Sequence, residues 1–348
     1  MHSPFPSRIA VAAFIALSFP AAVSTNGYGA PPPPKAEVVA GLAVPVAKRD
    51  AVGVVTLACA TPGAVIRYSL DGADPSPKTG PYLAPIRLPS GGVVRARAFS
   101  EDRTQMSDIS ETIFDPLPDA VPLPATLVPC TQDRDWPTYD WAVRHAAVTK
   151  LAAEHKASLV FLGDSITQMF GGEPHDRPQP GRDVWEQHYA KRNVVNLGYG
   201  YDFVENALWR LLHGEIDGAA AKAVVINLGT NNITRNAPEE VAVGVREVCA
   251  LVHRKQPAAK IILMAIFPRG PKPDATRAKV DAVNKLLSGL DGKDNVIFLD
   301  IGAKFLEPDG TITREMMGDF LHPTARGYEI WANALEPLLD KLLGEDKR

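Results

Sequence analysis

Between residues 159 and 299 five short runs are apolar almost throughout: Leu159 to Leu162, Val194 to Leu197, Ala223 to Leu228, Ile261 to Ala265 and Val296 to Leu299. Each is followed by a stretch of helical periodicity. A strand apolar on both sides can face water on neither, so this alternation calls for a parallel sheet with helices on both faces. The helices are expected at Tyr139 to His155, Asp183 to Lys191, Phe203 to Leu212, Pro238 to Arg254, Ala275 to Leu287 and about Thr324 to Leu343. In the fourth, Val241, Val245, Val248 and Val252 recur at helical spacing and form one buried stripe. The predicted architecture over 131–348 is a three-layer α/β/α, flavodoxin-like domain whose functional groups gather at the carboxyl ends of the strands.

The rest of the chain reads differently. Residues 36–115 carry strand signals at Val52 to Ala60, Ala64 to Leu70, Ile86 to Leu88 and Val93 to Phe99, separated by Pro, Gly and the turn pair Asp71-Gly72. No helical periodicity interrupts them, and a small all-β, immunoglobulin-like sandwich is expected. Proline-rich stretches flank it: a spacer over 25–35 containing Pro31 to Pro34, and a linker over 116–130. Residues 1–24 have the parts of a cleaved export signal, with Arg8, an apolar run from Ile9 to Phe19 and a small-residue end at Ala22-Val23-Ser24. That run is too short for a bilayer span, so a secreted or periplasmic protein without a membrane span is expected.

With 37 basic and 40 acidic residues spread along the chain there is no basic stripe, and no nucleic-acid partner is expected. Cys59, Cys130 and Cys249 are far apart; one bridge with a spare thiol is an alternative, but three buried thiols fit better. No His-Glu-x-x-His or phosphate-loop sequence appears, so neither a metal nor another cofactor is expected. A homodimer is left open.

In the N-terminal region, Ile66 to Gly72, Pro75, Tyr82 to Ile86 and Val94 to Ala98 together resemble the small immunoglobulin-like module at the C-terminus of chitobiases and β-hexosaminidases. The resemblance implies a non-catalytic module and points weakly to carbohydrate surroundings.

Four polar or glycine-rich blocks follow the strands of the larger domain: Gly163-Asp164-Ser165, Asn196-Leu197-Gly198-Tyr199-Gly200, Gly229-Thr230-Asn231-Asn232 and Asp319-Phe320-Leu321-His322. In this order they resemble the SGNH (GDSL-like) hydrolases. Ala207 to Leu211, Lys255 to Ile262 and Pro268-Arg269-Gly270 bring the chain nearest to the catalytic subunits of platelet-activating-factor acetylhydrolases. The resemblance implies Ser165 as nucleophile, His322 as general base oriented by Asp319, and an oxyanion hole from the Ser165 and Gly198 N–H groups and the Asn231 amide. Asp164, Tyr199, Tyr201 and Asn232 are candidate pocket residues. Ser165 also fits a plain helix N-cap. Relatives commonly carry Gly where Tyr201 stands, which puts the substrate range in question. His175 and Asp176 are expected to be solvated loop residues.

Three functions follow: a secreted serine esterase taking short acyl groups, acetyl foremost, from a small-molecule or glycan ester; an acetylhydrolase or lysophospholipase-like esterase on lipids; or a non-catalytic glycan-binding protein. The four intact blocks weigh against the last.

Overall fold

The computed structural model describes residues 37–38, 41–82, 85–118 and 123–344. The expected export signal and the spacer to residue 35 lie outside the described residues, as do 119–122 of the expected linker. The N-terminal module holds β1 (Glu37–Val38), β2 (Val46–Arg49), β3 (Val54–Ala58), β4 (Val65–Ser69), β5 (Ile86–Arg87), β6 (Gly92–Phe99), β7 (Gln105–Met106) and β8 (Ser110–Phe114). One sheet runs β1-β7-β6-β4 with β8 also on β6, the other β2-β3-β5. Val55, Leu57, Tyr68, Ile86 and Val94 fill the space between them. Strands β1, β2, β7 and β8 are additions to the expected strands. Ser110-Glu111-Thr112-Ile113-Phe114 has no apolar run because it is half exposed, and pairing with β6 defines it instead.

The module is docked closely on the larger domain. Thr131 Oγ1 donates to the Tyr68 carbonyl at 3.1 Å, Arg103 pairs with Asp140 at 2.9 Å, and Lys78 Nζ donates to the Trp136 carbonyl at 2.6 Å. Gly80 abuts Thr131 so tightly that a Cβ there would lie 2.4 Å from the threonine methyl. The second proline-rich stretch also lies against the larger domain: Thr126 is buried and its hydroxyl donates to the Glu240 carbonyl at 2.6 Å.

The larger domain contains α1 (Trp141–His155), β9 (Leu159–Gly163), α2 (Ser165–Gln168), α3 (Arg182–Tyr189), β10 (Val194–Gly198) and α4 (Val204–Leu212). It continues with β11 (Ala223–Asn227), α5 (Pro238–Lys255), β12 (Lys260–Met264), α6 (Ala275–Leu287), β13 (Val296–Leu299) and α7 (Ala325–Leu343). The five strands are parallel in the order β10-β9-β11-β12-β13, the flavodoxin-like order. Every residue of β9 and β11 is buried, as strands covered on both faces require. One face packs on α1, α4, α5 and α6, the other on α3 and α7. The chain leaves β9 for β10 on one side and then crosses to β11 on the other. The crevice of this sheet therefore opens after β9, where Ser165 begins.

Beneath that crevice Arg210 is completely buried between two buried carboxylates, with Nε 2.8 Å from Asp202 Oδ2 and Nη1 against Glu215 Oε2. Among the described residues no helix is long and apolar enough to cross a membrane. Cys59 is half-buried rather than buried, while Cys130 and Cys249 are buried, and all three are free thiols.

Removing the cation would strand two carboxylates in the core. Arg210→Met is expected to lower unfolding free energy by about 3–5 kcal/mol, read by urea denaturation. A loss below about 1 kcal/mol would show that the cluster is not held by this ion pairing.

Candidate active site

Ser165 opens the short helix α2 directly after β9, and 5% of its surface is exposed. The helix cap is Asp164, not Ser165: Asp164 Oδ1 accepts the Ile166 N–H at 3.0 Å. The serine hydroxyl is thereby free for another partner, and it lies 2.8 Å from His322 Nε2.

His322 is presented by a loop that Asp319 organises. Asp319 Oδ1 accepts the N–H groups of Leu321 at 3.1 Å and His322 at 2.7 Å, and Oδ2 lies 2.7 Å from His322 Nδ1. Phe320 adopts the left-handed conformation (φ 63°), which turns the chain sharply enough for side chains three residues apart to meet. The Gly270 N–H donates to the Phe320 carbonyl at 2.8 Å, anchoring the turn on the loop after β12. Partial burial pushes the Asp319 carboxyl up, but the hydrogen bonds from the His322 backbone and ring outweigh it, and the net shift is below the ordinary carboxylate range. An ionised Asp319 only accepts, so Nδ1 carries a proton and Nε2 faces the serine with its lone pair. Such an imidazole can take the hydroxyl proton as oxygen attacks a carbonyl carbon.

The expected Gly198 donor is not available. Its N–H donates to Asn196 Oδ1 at 2.8 Å, and a Cβ at this position would sit 2.2 Å from the Gln168 nitrogen. Glycine is needed here so that the end of β10 can approach α2, not to bind an oxyanion. The rest of the loop can be accounted for group by group. The N–H of Tyr199 goes to the Gly163 carbonyl, of Gly200 to Gln168 Oε1 and of Asp202 to the Tyr199 carbonyl. Those of Phe203 and Val204 go to the side-chain oxygens of Asn206 and Asn232.

Tyr201 is the exception: its N–H has no acceptor among the described residues. The carbonyl of the same peptide, that of Gly200, accepts from Gln132 Nε2 and the Tyr139 hydroxyl, each at 3.1 Å. In a trans peptide this fixes the opposing N–H outward. Asn231 Nδ2 reaches the same loop, spending one proton on the Asp202 carbonyl at 2.9 Å and keeping the other. The N–H groups of Ser165 and Tyr201 and one proton of the Asn231 amide thus have no acceptor among the described residues.

The four candidate pocket residues separate. Tyr201 is 53% exposed and lies on the rim. Tyr199 is fully buried, its hydroxyl 2.5 Å from Glu215 Oε1, because it points into the core beneath the loop. Asn232 is fully buried too and holds the α4 N-terminus together with Glu205. Asp164 faces inward under the nucleophile, where burial pushes its carboxyl up from 3.8 to about 7 against the pull of the Ile166 N–H. None of these three lines a pocket. Asp176 is not the solvated residue expected: it accepts from the buried Arg144 and from Gln168, each at 2.9 Å, whereas His175 pairs with Glu173 on the surface. Sequence reasoning gave no role to Gln132, Arg134, Gln168 or Arg269, all of which hold site loops; only Pro268-Arg269-Gly270 carried a signal, as part of the resemblance.

The sheet and its Ser–His–Asp arrangement define an SGNH-type α/β hydrolase. Residues 161–330 match the GDSL-like Lipase/Acylhydrolase family, and residues 50–111 match the chitobiase/beta-hexosaminidase C-terminal domain. Platelet-activating factor acetylhydrolase IB subunit alpha2 of Rattus norvegicus is 34% identical over 206 residues, covering 59% of this chain and 86% of that protein. Subunit alpha1 of Homo sapiens is 33% identical over 208 residues, 60% of this chain and 86% of that protein. A solved structure of a putative acylhydrolase from Bacteroides fragilis is 20% identical, covers 59% of this chain and 99% of its own, and superposes with a TM-score of 0.47. The chain belongs to the GDSL-like lipase/acylhydrolase family and is a carboxylic-ester hydrolase.

Asp164 makes stability depend on pH in a set direction. Between about pH 4 and 7 the unfolded chain has lost this proton while the folded one keeps it, so the raised carboxyl removes stability as pH rises through that window. Asp164→Asn keeps a capping oxygen and removes the titration. Its melting temperature relative to the parent protein is expected to climb from pH 4 to 7 and then level off; a difference independent of pH would refute the shift.

Proposed function

We propose that this protein is an exported esterase that removes short acyl groups, acetyl foremost, from O-acylated carbohydrate through an acyl-enzyme on Ser165. The observation that carries the proposal is the continuous chain from the Ser165 hydroxyl through His322 to Asp319, with spacings of 2.8 and 2.7 Å.

Ser165 Oγ attacks the ester carbonyl carbon and passes its proton to His322 Nε2. The carbonyl oxygen, now an anion, is met by the N–H groups of Ser165 and Tyr201 and the Asn231 amide. Collapse breaks the bond to the alkoxy oxygen, which leaves with the proton from His322. Water then attacks the acyl-serine, gives a proton to His322, and the carboxylic acid departs as that proton returns to Oγ. Asp319 keeps the imidazole in the required tautomer and stabilises the imidazolium.

The acetyl preference is supported by the relatives named as acetylhydrolases. A carbohydrate leaving group is supported by the module matched at 50–111. It is also supported by two exposed aromatics, Trp136 and Tyr201, on segments joined through Arg134. Their flat apolar faces suit the faces of sugar rings. Export rests on the character of residues 1–24. A lipid ester is the second reading, favoured by the relatives named for platelet-activating factor.

With p-nitrophenyl acetate, Ser165→Ala is expected to lower kcat by about 10⁴-fold or more, and Asn231→Ala by about 10²- to 10³-fold. Activity surviving in Ser165→Ala would sink the mechanism. Acetate released from acetylated xylan, and not from an sn-2 acetyl phospholipid, supports the carbohydrate reading; the reverse pattern defeats it.

A further inference from the structure

We infer that the N-terminal sandwich takes part in the reaction as a brace, its Asp71 acting through Arg134 to hold the loop that presents the Tyr201 N–H. The inference rests on the proposed role of that N–H as an oxyanion donor.

Asp71 is the first residue of the turn after β4, and its Oδ1 accepts the Ala73 N–H at 3.2 Å, which fixes the carboxylate on the turn. The other oxygen, Oδ2, is paired with Arg134 Nη1, and both side chains are largely buried between the two domains. The remaining arms of the guanidinium point into the oxyanion loop. Nε and Nη2 donate to the Tyr201 carbonyl at 3.4 and 3.3 Å, and Nη2 donates to Asn206 Oδ1 at 2.6 Å. The flat face lies 4.2 Å from the Phe203 ring centroid. One planar group thus joins the sandwich turn, the Tyr201 backbone and the start of α4.

Tyr201 gives this grip a purpose beyond docking. Its φ is 60°, a left-handed conformation that glycine tolerates and a tyrosine does not favour. A tyrosine here pulls the loop toward extended backbone, which would change the direction of the Tyr201 N–H. Arg134 opposes that by tethering the following carbonyl, and Asp71 supplies the counter-charge that keeps the guanidinium in place. Asp71 and Arg134 are positioning residues; neither touches the reacting atoms.

The full-length protein tests the assignment. An oxyanion forms in both acylation and deacylation, so a loosened donor slows both and leaves KM nearly unchanged. Asp71→Asn is expected to lower kcat for p-nitrophenyl acetate by about tenfold with KM within about twofold, and Asp71→Glu to recover most of the loss. Arg134→Lys keeps a charge for Asp71 but loses the fork that reaches Tyr201, and the same fall in kcat is expected, so the assignment remains testable if Asp71→Asn does not fold. Arg103→Met breaks a different inter-domain pair, that with Asp140, and is expected to leave kcat within about twofold. Unchanged kcat in both Asp71→Asn and Arg134→Lys overturns the brace, as does an equal loss in Arg103→Met. If Asn231→Ala retains full activity, it is the oxyanion reading that fails.

Discussion

Arg210 carries a positive charge into a place no water reaches, and the site above is arranged around it. Its Nη2 donates to the Gly163 carbonyl at 3.2 Å and Nη1 to the Leu197 carbonyl at 3.2 Å, at the ends of β9 and β10. Nε holds Asp202, and the guanidinium lies 3.9 Å from the Tyr199 ring centroid. Burying a lone guanidinium costs many kcal/mol, so the charge is tolerated only because Asp202 and Glu215 are buried with it and nearly every donor is used. The strand end that leads to Ser165 and the loop that carries Tyr201 thereby share one anchor. Asp202 extends the anchor further, because its Oδ1 accepts from Gln132 Nε2 at 2.9 Å and Trp141 Nε1 at 2.8 Å.

That anchoring explains why loop segments can hold a site as rigidly as strands do. From Gly198 to Val204 all backbone N–H groups but that of Tyr201 are committed to a named acceptor. Movement of a loop so saturated breaks several bonds at once, and the Arg134 tether on the Tyr201 carbonyl is one of them. The remaining donor, the Tyr201 N–H, is held by its fixed peptide, and the proposed oxyanion role asks for a donor that needs no reorganisation.

The five strands were legible in the sequence to within one or two residues, because a sheet covered on both faces demands short runs that are apolar almost throughout, and these recur between helical stretches. Ser165, Asp319 and His322 were legible as motif residues, and the structure brings the three together. Gly198 was misread for a physical reason: a glycine in a motif signals either unusual φ or a missing Cβ, and only packing against Gln168 decides between them. Tyr199 and Asn232 stand beside site residues in the sequence, but the next residue on a turn commonly points the other way, and both face the core. The arginines were invisible for a related reason. Charge in a sequence reads as surface, yet Arg144 and Arg210 are buried, each satisfied by carboxylates and by strand-end carbonyls that only the fold brings around it.

Two aspartates near the nucleophile show how placement assigns roles to the same chemical group. Asp164 is closed off from water, and burial raises its carboxyl to about 7, so near neutral pH it is a poor source of fixed negative charge. Asp319 is open to solvent on one side and holds three hydrogen bonds from its own loop, which keep it ionised. Only the second can steady an imidazolium during turnover, although the first is adjacent to the serine in sequence. Arg269 lies within the field of both carboxylates, and its Nη1 donates to the Thr230 carbonyl at 2.9 Å. The Gly270 N–H next to it carries the Phe320 carbonyl, so one short loop after β12 ties the Asn231 block to the His322 block. Hydrogen bonds from two adjacent residues of a single loop therefore couple the block that carries the proposed base to the block that carries the proposed oxyanion amide.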